Sequence, residues 1–123
     1  MKLRFRDSSL RLRLNQREVA ALVSGSAIEE RIAFPGEHAF AYILEPNAQL
    51  EPQASFQQGV VRVSVPPGEL RQWAAGDGIG IYFDLPAGKT ALKVAIEKDL
   101  ECIEGPPEER DPHAFPRTAG KNC

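Results

Sequence analysis

The feature that most limits what this chain can fold into is that its first hundred residues are written twice. Shifted by 51 positions, residues 2–35 (KLRFRDSSLRLRLNQREVAALVSGSAIEERIAFP) lie on residues 53–86 (QASFQQGVVRVSVPPGELRQWAAGDGIGIYFDLP) without a gap. Phe5 meets Phe56, Arg11 meets Arg62, Glu18 meets Glu69, Gly25 meets Gly76, Ile28 meets Ile79 and Pro35 meets Pro86. Apolar positions agree in kind: Leu10, Leu12 and Leu14 fall on Val61, Val63 and Val65, and Leu22 falls on Trp73. One extra residue after Pro86 brings FAYILE (40–45) onto LKVAIE (92–97). Internal similarity at a fixed period is the signature of stacked or paired supersecondary units.

Each copy has one grammar. Two short runs alternating apolar and polar residues flank a polar pair, Asp7-Ser8 or Gln58-Gly59, which predicts a hairpin with a tight turn. A helix follows. In the first copy Asn15 is placed as an N-cap with Glu18 at capping-box spacing, and Gly25 stands where a left-handed C-cap is wanted. In the second, Pro66-Pro67 opens the helix and Gly76 closes it. Two more alternating runs, 27–34 with 38–45 and 78–85 with 90–97, are expected to be joined by turns beginning at a proline. The expected fold is α+β: duplicated ββαββ units packed about a pseudo-twofold axis, mainly antiparallel, curved or even barrel-like, with two short helices. At 123 residues, 42% of them hydrophobic, the chain suits one domain, residues 1–100, built of repeats 1–47 and 52–99. From about Leu100 the sequence turns to proline and charge without periodicity, so residues 101–123 read as a disordered tail.

Comparing the copies separates what the architecture needs from what it does not. Lys2, Arg4, Arg6, Arg13 and Arg17 fall on Gln53, Ser55, Gln57, Ser64 and Gly68; among the basic residues of this stretch only Arg11 is matched, by Arg62. Strand alternation turns Leu3, Phe5, Leu10, Leu12 and Leu14 to one face and the basic residues to the other. With a two-residue turn at Asp7-Ser8, Arg4 stands across from Arg11 and Lys2 across from Arg13, pairs of like charge that destabilise a sheet by up to about 1 kcal/mol each. Neighbouring acids, with Glu29, Glu45, Glu97 or Asp99 as candidates, are one way to offset this. The other is function: Lys2, Arg4, Arg11 and Arg13 form an anion-binding face for a small ligand or an acidic protein partner, since guanidinium groups stay charged and bind oxyanions through paired hydrogen bonds. The net charge of -2 and the lack of aromatic residues interleaved on that face argue against nucleic acid.

Glu30 replaces Ile81 of the second copy on an apolar stripe, directly across from Tyr42, with His38 across from Phe34. An inward carboxyl must be hydrogen-bonded or neutralised. A hydrogen bond to Tyr42 is the expectation, and a catalytic acid or base the alternative. Little else speaks for catalysis. There is no Walker loop, GxGxxG or HExxH, and the glycine-rich GDGIG (76–80) lies where a helix ends, not where one begins. Cys102 and Cys123 are too few for a disulfide framework, and no metal or cofactor is expected. Arg4, Arg6, Arg11 and Arg13 interrupt every apolar window near the start, and no run has transmembrane length, so a cytoplasmic protein without a membrane partner is expected.

The stretches SLRLRLNQREVAAL (9–22), EERIAFPG (29–36) and IEKDLECI (96–103), followed by AFP (114–116), resemble a small family of uncharacterised bacterial proteins classed as a domain of unknown function. The resemblance covers nearly the whole chain. It implies a bacterial, cytoplasmic origin and brings no activity with it. The reading that results is a non-enzymatic binding or interaction module, with handling of phosphorylated small molecules as the alternative.

Overall fold

Hairpins with period-two alternation have one apolar face each, and this chain buries four of them against one another. The computed structural model describes residues 1–100 and 111–116. The elements run β1 (Lys2–Arg6), β2 (Ser9–Leu14), α1 (Gln16–Val23), β3 (Ile28–Phe34), β4 (His38–Pro46), β5 (Gln53–Gln57), β6 (Val60–Val65), α2 (Pro67–Ala75), β7 (Gly80–Ala87) and β8 (Thr90–Lys98). They form two four-stranded sheets, β1-β2-β8-β7 (sheet A) and β3-β4-β6-β5 (sheet B), so each sheet joins a hairpin from one half of the chain to a hairpin from the other. Within hairpins the strands are antiparallel; the central seams, β2 with β8 and β4 with β6, are parallel. The two seams have matching registers: Leu10 pairs with Val94, and Val61 with Tyr42.

The sheets stay open and do not close into a barrel. The helices carry the chain from one sheet to the other, β2 through α1 to β3 and β6 through α2 to β7, so the edge strands β1, β7, β3 and β5 stay free of strand partners across the gap. Asn15 caps α1 with the expected box: its side chain accepts from the Glu18 N–H at 2.9 Å, and Glu18 accepts from the Asn15 N–H at 3.0 Å. Gly25 follows with φ +103°, as a helix exit requires, whereas Gly76 ends α2 in extended backbone. The second long hairpin runs past Pro86, which pairs with Ala91 within edge strand β7; the turn lies at residues 88–89.

This topology gives the molecule two unlike ends. All four hairpin turns (around Asp7, Glu37, Gln58 and Gly88, each with positive φ) precede β2, β4, β6 and β8, and parallel seams put the four strand starts together. At the other end α1 and α2 pack on each other, and Leu14, Leu44, Val65 and Ile96 beneath them are fully buried, together with Leu22 and Leu70 of the helices. Trp73 fixes α2 to the start of β7 by donating its indole N–H to the Ile79 carbonyl at 2.8 Å. Burial weakens toward the turns: Phe40 and Leu92 are half-buried, and Phe5, Phe34 and Phe56 are exposed.

Of the tail expected from residue 101, residues 101–110 and 117–123, with Cys102 and Cys123, lie outside the described residues. Residues 111–116 lie along α1 and β8. The Gln16 N–H donates to the His113 carbonyl, the Phe115 N–H donates to the Asp99 carbonyl, and Asn15 Nδ2 donates to Asp111 at 2.9 Å. That hydrogen bond, then one from the His113 N–H, lowers the Asp111 pKa.

Candidate anion-binding face

The outward face of sheet A carries the basic residues in rows fixed by strand register. Lys2 lies across from Arg13, which neighbours Glu97; Arg4 lies across from Arg11, Ala95 and Tyr82; Arg6 lies across from Ser9, Lys93 and Asp84. The four residues singled out from the sequence therefore share one face, and β8 adds Lys93 to it.

Glu97 on β8 and Asp99 just after it answer half of this charge. Glu97 Oε1 lies 3.0 Å from Arg11 Nε and 3.7 Å from Arg13 Nε, and Lys2 Nζ lies 2.8 Å from Asp99 Oδ2. The Arg11 contact is an ion pair by distance but lacks the alignment of a hydrogen bond, so its Nε is a buried donor without a directed acceptor. Of the four acids expected to neutralise the face, Glu97 and Asp99 do so. Glu45 instead holds Arg62 on sheet B, with Nη1 3.0 Å from each carboxylate oxygen. Arg11 with Glu97 and Arg62 with Glu45 occupy matching places across the two parallel seams, which accounts for the one basic position common to both halves. Among the described residues Arg4, Arg6 and Lys93 have no ion pair.

Tyr82 is the residue that sequence reasoning missed, and it puts an exposed aromatic side chain on a face expected to have none. It belongs to the second half, and only the β2–β8 seam brings it to the basic face. Its hydroxyl donates to Glu97 Oε2 at 2.7 Å, and burial, this hydrogen bond and the Glu97 charge push its pKa up to about 12. Gly80 makes the reach possible: a Cβ there would stand 2.8 Å from the Tyr82 ring and from the Ile96 carbonyl. The glycines of GDGIG thus end α2 and seat Tyr82.

Glu30 sits apart, on β3 of sheet B. Although Tyr42 is directly across from it, the two do not bond to each other, because Met1, just before β1, comes between them. The Met1 ammonium is held by Glu18 and lies 3.1 Å from Glu30 Oε1, while the Tyr42 hydroxyl donates to the Met1 carbonyl at 2.9 Å. Burial pulls the ammonium pKa down, but the bonds to Glu18 and Glu30 outweigh it and hold the group above its ordinary value. Burial, then Glu30 and Glu18, raises the Tyr42 pKa. The expected Glu30 to Tyr42 hydrogen bond is replaced by a three-residue cradle around Met1, and His38 is absent from it. Among the described residues no three His, Cys, Asp or Glu side chains converge as metal ligands, and no helix is long and apolar enough to cross a membrane.

No curated protein and no solved structure matches the chain at a significant level. A family match does, and it spans residues 1–119, taking in both sheets, both helices and the 111–116 segment alike. The chain that builds this basic sheet belongs to the family of unknown function DUF7009.

Proposed function

We propose that this protein is a non-enzymatic binding module, an internally duplicated pair of ββαββ units whose first copy has been specialised as an anion-binding face. The duplication is supported by the 51-residue alignment and by the matching registers of the two parallel seams. One observation carries the functional reading. Arg4, Arg6 and Lys93 share a face on which Glu97 and Asp99 are already engaged, and none of the three has an ion pair among the described residues, Asp84 across from Lys93 and Asp7 beside Arg6 being the remaining acids. The second copy carries Ser55 and Gln57 where the first has Arg4 and Arg6, so folding does not require the charge. Arg11, Arg13 and Lys2 act as the frame of the face, and Arg4, Arg6 and Lys93 as its contacts. Glu30 has no part in it, since it lies on the other sheet.

The test is thermal unfolding at low salt with inorganic phosphate, nucleotides and polyphosphate. At ten times Kd a ligand stabilises by about 1.4 kcal/mol, a shift of several degrees for a domain of this size. The shift is expected to vanish in the double variant Arg4→Ser, Arg6→Gln and to survive in Arg62→Ser on the other sheet. An unchanged shift in the double variant, or none with any anion, overturns the reading.

A further inference from the structure

At the turn end the inner faces of the two sheets leave an apolar hollow of about 420 Å³. Its walls include Phe5, Leu10 and Leu92 from sheet A and Phe40, Phe56 and Val61 from sheet B. Leu10 and Val61 at its floor are buried, whereas Phe5 and Phe56 at its rim are 58% and 67% exposed. Apolar surface in water is unfavourable in proportion to its area, and aromatic side chains left standing at the mouth of a concave site mark a place of contact. A hollow of this size is in the range of small-molecule sites, and its position between two sheets admits a slender or compact apolar group while excluding a flat protein surface.

Charge beside the hollow says more about the occupant. The six wall residues form three pairs separated by the repeat offset: Phe5 with Phe56, Leu10 with Val61, and Phe40 with Leu92. Their flanks are unlike. Phe56 stands between Ser55 and Gln57, but Phe5 stands between Arg4 and Arg6. Neither arginine lines the hollow, and both start on the outer face of sheet A; β1 is an edge strand, so they are not fenced from the mouth by another strand, and their long apolar stems can bend over the edge while the guanidinium groups stay in water.

We infer that the hollow receives the alkyl tail of a single-chain anionic amphiphile, an alkyl carboxylate, whose headgroup pairs with Arg4 and Arg6. This rests on the anion-binding reading of the face and extends it to a ligand class. The apolar walls supply affinity in proportion to tail length, and the arginines select a charged head over a neutral one.

Calorimetric titration of the full chain with hexanoate, octanoate and decanoate, each below its micelle-forming concentration, tests this against the matching alcohols. Each added methylene is expected to tighten binding about fourfold until the hollow is full. Carboxylates should outbind alcohols of equal length, and Arg4→Ser, Arg6→Gln should remove that preference while the chain-length dependence stays. Ala54→Phe, which fills the hollow from its wall, should weaken decanoate at least tenfold. Ala87→Trp crowds the mouth from an exposed position and should do the same. Phosphate binding on the arginines with no chain-length dependence overturns the amphiphile and leaves the anion face standing. Chain-length dependence with no preference for carboxylate overturns the assigned headgroup, and the anion face is then judged by the phosphate titration alone. Binding only to anionic vesicles, or concentration-dependent dimerisation with no ligand uptake, also overturns it.

Discussion

On sheet B one carboxylate answers one guanidinium: Glu45 takes Arg62 Nη1 on both oxygens. On sheet A the matching carboxylate, Glu97, is shared among Arg11, Arg13 and the Tyr82 hydroxyl, and one of its guanidinium contacts is poorly aligned. The seam that each acid spans is the same; the load placed on it is not. At the seam of sheet B the charge is matched one for one. On sheet A positive charge exceeds what the local acids can hold, and the surplus collects at Arg4, Arg6 and Lys93.

The largest expected effect tests that load directly. Glu97→Gln removes the partner of two arginines and the acceptor of Tyr82, and Glu97 is the less exposed acid, at 14% against 28% for Glu45. Hydrogen bonds to charged groups are worth about 2 kcal/mol each, so chemical denaturation should show a loss of about that size. Glu45→Gln, at a more exposed single pair, should cost no more than about 1 kcal/mol. Equal losses would mean that the sheets differ only in appearance. The same Glu97→Gln variant frees Arg11 and Arg13, so its phosphate affinity should rise, by a few-fold, while Glu45→Gln leaves affinity unchanged.

A smaller effect follows from Tyr82. Its folded pKa is raised from 10 to about 12, so the unfolded state loses its proton first as pH increases. The contribution of the neutral phenol is therefore complete below pH 10 and lost as pH rises to about 12. Ultraviolet titration should place one tyrosine near that value, Tyr82→Phe should remove it, and Glu97→Gln should bring it back toward 10. The smallest effect belongs to Glu30→Ile, which installs the residue of the second copy. Glu30 is 41% exposed, so stability should change by less than about 1 kcal/mol with phosphate binding unaltered. A loss of phosphate binding in that variant would tie the two sheets together in function.

Much of this was legible in the residues because it is local. Alternation with period two set the faces of β1 and β2, the Asp7-Ser8 turn set Arg4 opposite Arg11 and Lys2 opposite Arg13, and the Asn15 to Glu18 spacing set the capping box. What could not be read is the pairing of β2 with β8 and β4 with β6, since nothing in a strand marks which distant strand will lie beside it. That pairing decides that Glu97 and not Glu45 meets Arg11, that Tyr82 joins the basic face, and that the sheets stay open. Two local expectations failed for local reasons. Pro86 does not begin a turn, because an edge strand leaves its missing N–H without consequence. Glu30 does not bond Tyr42, because Met1 reaches both first.

The exchange of hairpins between halves also governs how the chain must fold. Joining Leu10 to Val94 closes a loop spanning most of the chain, and such non-local pairings slow folding. Neither half can complete a sheet alone, since each supplies two strands to each. A break in the segment between β4 and β5 should leave fragments that are unfolded apart and assemble when mixed, and two identical halves should be able to stand in for the pair as a dimer.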